Sequence, residues 1–125
     1  MGTNFYVRIK RKDQEEPEKV HIGKRSYGWK FLFACNPKYY EPTRKSINRF
    51  LKLHKNEFYD EYGDLQDIDE FWRNTVDGSS GGIDSKEYYR PIIERGEKVY
   101  DWEWEWPMKE FYSDDLRFTP DPDFS

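Results

Sequence analysis

The sequence predicts a single α+β domain, an antiparallel or mixed sheet with two helices packed on it, and three observations carry the prediction. Its 125 residues suit one domain and one core. Short stretches of period-two alternation are interleaved with two stretches of helical period. The composition also favours a folded core, although Leu, Ile, Val and Phe together supply only 25 of the 125 residues in a chain that is 37% charged. That fraction borders on disorder, and the 5 Trp and 10 Tyr offset it, because each large ring buries more surface than an aliphatic side chain.

In residues 3–10, Phe5, Val7 and Ile9 alternate with Asn4, Tyr6, Arg8 and Lys10, the pattern of a half-buried strand. Residues 11–19 are charged and contain Pro17, so a loop is expected. Two strands, 20–24 and 28–35, follow around a turn at residues 25–28, with Gly28 supplying positive φ. Trp29, Phe31, Phe33 and Cys35 share one face of the second strand. Asn36-Pro37 and Pro42 mark a loop. Thr43 is placed to cap a helix reaching about Lys55, whose inner face is Ile47, Phe50, Leu51 and His54. Its outer face carries Arg44, Lys45, Arg49, Lys52 and Lys55. Residues 57–62 form a further strand stopped by Gly63.

Asp67 with Glu70 resembles a capping box for a second helix over residues 68–77, with Ile68, Phe71, Trp72 and Val76 inward and Gly78 as the terminating residue. Residues 77–82 form a Gly/Ser loop. Residues 86–93 are ambiguous, since Pro91 argues against a central strand. Residues 97–106 alternate most regularly of all, with Tyr100, Trp102, Trp104 and Trp106 against Val99, Asp101, Glu103 and Glu105. The acidic tail, from about residue 119, is expected to be frayed.

Charge is unevenly spread. Residues 1–60 carry 14 Lys and Arg against 7 Asp and Glu, whereas residues 61–125 carry 7 against 18. Such a split either neutralises itself in the fold or creates opposed interaction faces. No run of about 18 apolar residues is present, which excludes a hydrophobic membrane span. The opening residues lack a basic flank followed by an apolar stretch, so a cytoplasmic address is expected. A single cysteine, Cys35, excludes an internal disulfide and a Cys-based zinc cluster.

No motif demands a cofactor. Gly23-Lys24-Arg25-Ser26 lacks the upstream glycine and the strand-to-helix context of a phosphate-binding loop. His21 and His54 show no metal-ligand spacing, so no metal site is assigned. The acids are too numerous for any pair to mark acid–base chemistry. Cys35 beside Phe33 suits a buried small hydrophobe, and no nucleophile elbow appears. A non-enzymatic protein is expected.

The opening Met1-Gly2-Thr3-Asn4-Phe5-Tyr6 and the stretch His21-Ile22-Gly23-Lys24-Arg25-Ser26-Tyr27-Gly28-Trp29 resemble a group of small uncharacterised proteins of tailed phages and prophages. Those typically begin Met-Gly-Thr-Asn-Tyr-Tyr and carry His-Ile-Gly-Lys-Ser-Ser-Xaa-Gly-Trp. Asp60-Glu61-Tyr62-Gly63, ahead of an acidic, aromatic helix around Phe71, is a third point of likeness, and the resemblance covers residues 1–78. Many relatives hold a Cys-rich segment resembling a zinc knuckle where residues 11–19 of this chain contain neither Cys nor His. The resemblance implies a viral origin and the host cytoplasm. It transfers no catalytic residue.

Two functions are therefore expected in order. The first is binding and modulation of a host protein, anti-defence inhibition of the anti-CRISPR type being one form. The surface would be acidic and aromatic: Asp101, Trp102, Glu103, Trp104, Glu105, Trp106, Asp114 and Asp115. The Trp ladder covers the core if it faces inward and offers a stacking platform if it faces out. The second is binding of nucleic acid or a small phosphorylated ligand through Lys24, Arg25, Arg44, Lys45, Arg49 and Lys52.

Overall fold

The computed structural model describes residues 2–96 and 110–120. They form a six-stranded mixed sheet with helices, the α+β class that the sequence predicts. Strands β1 (Gly2–Ile9), β2 (Glu18–Ser26) and β3 (Leu32–Ala34) precede helix α1 (Arg44–Leu53) and strand β4 (Phe58–Asp60). A helical run begins as α2 (Ile68–Glu70), widens into a π-helical turn over Phe71–Val76 and tightens to a 3₁₀ turn over Asp77–Ser79. Helix α3 (Ser85–Glu94) and the hairpin β5 (Phe111–Ser113) and β6 (Leu116–Thr119) complete it. The sheet order is β4-β1-β2-β3-β6-β5, and β3 with β6 is its parallel pair.

The alternation of β1 works as expected: Phe5 and Val7 enter the core. Its pairing with β2 slips between Phe5 and Tyr6, so that Phe5 faces Gly23 while Tyr6 faces His21. Val20 and Ile22 pack in the core, whereas buried His21 stacks on Tyr6 across the opposite face and bonds Asn4 Oδ1 at 3.0 Å.

Helix α1 also follows its pattern. The Thr43 hydroxyl accepts from the Ser46 N–H at 3.1 Å, and Ile47, Phe50 and Leu51 are buried. These join Phe33, Phe58, Phe71, Trp72, Leu116 and Phe118 in one aromatic core between α1, the helical run and one sheet face. Phe71 is the hub. Its ring lies within 5.0–6.4 Å of those of Phe58, Phe5, Phe31, Trp72 and Phe33.

Several elements differ from the sequence expectation. The second hairpin strand is only Leu32–Ala34, because residues 28–30 bond elsewhere: Ile83 N–H donates to Gly28 O at 3.0 Å, and Lys30 N–H to Ile83 O at 2.9 Å. Gly82 permits that approach, since a Cβ there would stand 2.6 Å from the Trp29 carbonyl carbon. Gly28 does adopt the positive φ that its turn requires, +80°. The second helix does not end at Gly78, whose φ is not positive. The wider π turn instead carries the chain on, setting Phe71, Trp72 and Val76 on one buried face.

Residues 86–93 belong to α3, where Pro91 removes one backbone donor. Its presence brings the helical segments among the described residues to three rather than two. Thr119, expected at the start of the frayed tail, is buried at the end of β6. The ladder at residues 97–106 lies outside the described residues.

Candidate functional site

The eight acidic and aromatic residues expected to meet a partner do not form one described surface. Asp101, Trp102, Glu103, Trp104, Glu105 and Trp106 lie outside the described residues. Asp114 and Asp115 are the two central residues of the β5–β6 turn, with φ of +53° and +60°. Asp tolerates this left-handed region better than most side chains. Asp114 also holds the structure together, because its Oδ2 accepts from the Arg44 N–H at 2.8 Å and anchors the hairpin on the first turn of α1.

The six cations offered for phosphate also divide. Lys24 sits half-buried in β2 opposite Asn4. Arg25 donates through Nη1 to Asn74 O at 3.0 Å. Arg44 pairs with Asp77 at 2.7 Å and lies over the Trp72 ring, 4.8 Å from its centroid. Arg25 and Arg44 thus hold contacts within the fold. Lys45, Arg49 and Lys52 instead remain together on the solvent face of α1, at the spacing that puts them on one stripe, and Lys55 follows just beyond the helix. Among the described residues none of the four meets a carboxylate.

This stripe is not purely polar. Leu53 is 75% exposed at the end of α1 and shares a depression of about 380 Å³ with Lys45, Asn48, Arg49 and Lys52. Beside it, Lys52 and Lys55 face Asp67 and Asp69 across a groove that also holds Leu65, 55% exposed, and Ile68. One continuous face of α1 and α2 thus offers cations, anions and uncovered apolar side chains.

A second constellation, which no spacing in the sequence announces, is built where the start of α3 meets β6. Arg117 is almost fully buried and forms a two-pronged pair with Glu110, Nε to Oε2 at 3.0 Å and Nη2 to Oε1 at 2.6 Å. Nη2 also reaches Ser85 Oγ at 3.2 Å, and Nη1 donates to Lys30 O at 2.9 Å. The Ser85 hydroxyl donates to Glu110 Oε1 at 2.8 Å, and the Trp29 ring closes over the guanidinium. Next to it, Asp84 caps α3 by accepting from the Glu87 N–H, while Tyr112 O–H donates to its other oxygen at 2.6 Å.

Burial alone would raise the Asp84 pKa. The hydrogen bonds from Tyr112 and the Glu87 amide, with the charges of Lys30 and Arg117, outweigh it and hold the carboxyl below its usual range. Tyr112 is pushed the other way, by burial and by the Asp84 carboxylate. A carboxylate with a lowered folded pKa adds stability that is fully present above its unfolded value near 4 and disappears as pH falls through the folded value. Tyr112→Phe should therefore lose stability at pH 7, and the loss should shrink towards pH 2 as acid titrates the Asp84 carboxylate. Urea unfolding of the two proteins at those pH values measures the difference, and an equal loss at both would show that Asp84 is not the group concerned.

Ser85 hydrogen-bonds an arginine and a glutamate, and that glutamate's carboxylate is already engaged by both prongs of the Arg117 guanidinium. His54 bonds Glu57 at 2.9 Å and His21 lies on the far side of the sheet core, so the two histidines serve separate local networks. That contact with His54 is the main reason the Glu57 carboxyl is lowered. Among the described residues no group of three or more His, Cys, Asp or Glu side chains could hold a metal ion. Nor is any helix among them long and apolar enough to cross a membrane. No protein family, curated protein or solved structure matches the chain.

Proposed function

We propose that this chain is a non-enzymatic, phage-type accessory protein that binds and modulates a protein of the bacterial host cytoplasm, anti-defence inhibition being one form of that activity. The docking surface in this reading is the outer face of α1 with its neighbouring groove. The observation that carries it is the exposed Leu53 set among Lys45, Arg49 and Lys52. Cations alone suit any polyanion, whereas an uncovered leucine beside them suits a protein surface with acidic residues around an apolar pocket. Asp67 and Asp69 along the adjoining groove weigh against a phosphate backbone, which they would repel. The acidic and aromatic residues 101–106, expected from the sequence to meet a partner, lie outside the described residues.

A second reading, nucleic acid or a phosphorylated ligand on the same stripe, is favoured by the absence of carboxylate partners for Lys45, Arg49 and Lys52 among the described residues. Two variants separate the readings in pull-downs from host lysate run with and without nuclease. K45E/R49E/K52E abolishes either kind of binding. Leu53→Ser, a neutral change on an exposed side chain, weakens a protein partner about tenfold or more, the scale of a central apolar anchor. It leaves phosphate binding unchanged. Retention of the same partner by both variants would remove α1 from the interface.

A further inference from the structure

We propose that two copies of this chain associate through the groove between α1 and the connection that leads into α2. The groove encloses about 500 Å³ and has two unlike banks. Lys52 and Lys55 stand on the α1 bank, and Asp67 and Asp69, at the start of the helical run, on the other. All four are exposed, and none of them forms an ion pair among the described residues. Each side also bears an uncovered apolar side chain, Leu53 at the end of α1 and Leu65 opposite, where a backbone bridge to Tyr59 fixes it beside β4.

The two banks together select the occupant. A surface of one sign, acidic or basic, is attracted by one bank and repelled by the other. A fitting surface carries both signs in the reverse order, with apolar side chains on each side. The chain's own face, turned about a two-fold axis running along the groove, is such a surface. That operation lays Lys52 and Lys55 of each copy against Asp67 and Asp69 of the other, and carries each Leu53 to the side that holds the other copy's Leu65. An axis across the groove would instead set like charges together, so the charges fix the register as well. The contact is isologous and closes at two copies. Its apolar part is small, so the dimer is weak and depends on concentration. The inference does not rest on host binding; it adds that a second copy and a host protein would compete for this face.

Sedimentation equilibrium of the full chain at low salt is expected to show a monomer–dimer equilibrium that added salt weakens. K52E/K55E makes both banks acidic. D67N/D69K makes both basic, its asparagine keeping the helix cap. Each variant alone, with its circular dichroism unchanged, should dimerise about tenfold more weakly or worse. Mixed in equal amounts, the two should form a one-to-one heterodimer. Leu65→Ser should weaken the original dimer without affecting its salt dependence. A monomer at every concentration, a dimer that neither charge variant weakens, or a mixture of the folded variants that stays monomeric would each overturn the proposal. A crosslinked second copy is told from a crosslinked host protein by its mass, so the two readings of this face fail separately.

Discussion

Phe71→Ala is expected to lose about 3–5 kcal/mol of folding stability, the largest effect of any single core substitution among the described residues. The ring stands within 6.4 Å of five other aromatic rings, contributed by three strands, the β2–β3 connection and its own helical run. Truncation to alanine therefore removes transfer energy and leaves a cavity whose walls are stiff rings that cannot collapse inward. Phe71→Leu refills most of that volume and should cost about a third as much, chiefly through lost edge-to-face contacts. Equilibrium urea unfolding followed by tryptophan fluorescence measures both. A loss below about 1 kcal/mol for the alanine variant would mean that the π turn does not deliver this ring to the centre of the core.

Glu110→Ala is expected to be nearly as damaging, for a different reason. It leaves the Arg117 guanidinium buried with its counter-charge gone and only neutral acceptors, Ser85 Oγ and Lys30 O, remaining. An uncompensated buried charge of this kind costs about 3–5 kcal/mol. Removing both charges is milder, so the double variant E110L/R117M should be more stable than Glu110→Ala alone. The recovery is incomplete, because Lys30 O and Ser85 Oγ then lose a donor. If the double variant were the less stable of the two, the pair would be contributing net attraction rather than merely cancelling its own desolvation.

The contrast between these two features explains what is visible in the sequence. Strand β1 and helix α1 are legible because period and capping residue are local: Phe5-Val7 at spacing two, Ile47-Phe50-Leu51 at helical spacing, Thr43 at the cap. The first strands' order and the mixed α+β class follow from the same signals. The π turn at Phe71–Val76 is not legible, since the spacing of its apolar residues also fits an α-helix. Nor is the shortness of β3, which depends on the backbone of residue 83 arriving beside Trp29.

Sites show the same division. The α1 stripe is one helix face and is readable as such, although Arg44 leaves it for Asp77 and Trp72. The hydrogen-bonded side chains of the Arg117 cluster lie 7 to 32 positions apart in sequence, Trp29 comes from further away, and no spacing rule connects them. Its one trace is Arg117 itself, a charge between Leu116 and Phe118 in a strand whose every residue is buried. Asp114 and Asp115 carry the charge that marks them as partner-binding, but their backbone shows a turn, and one of them anchors a helix. Composition does not distinguish those roles.

The most direct test of the proposed function is photocrosslinking from the α1 face in host cells. A benzophenone amino acid replaces Leu53 in one protein and Tyr27, which is 96% exposed in the β2–β3 connection, in a control. Docking through α1 predicts one nuclease-resistant protein adduct from position 53, lost on K45E/R49E/K52E, and no such adduct from position 27. The same adduct from both positions, or adducts to nucleic acid alone from position 53, would contradict it.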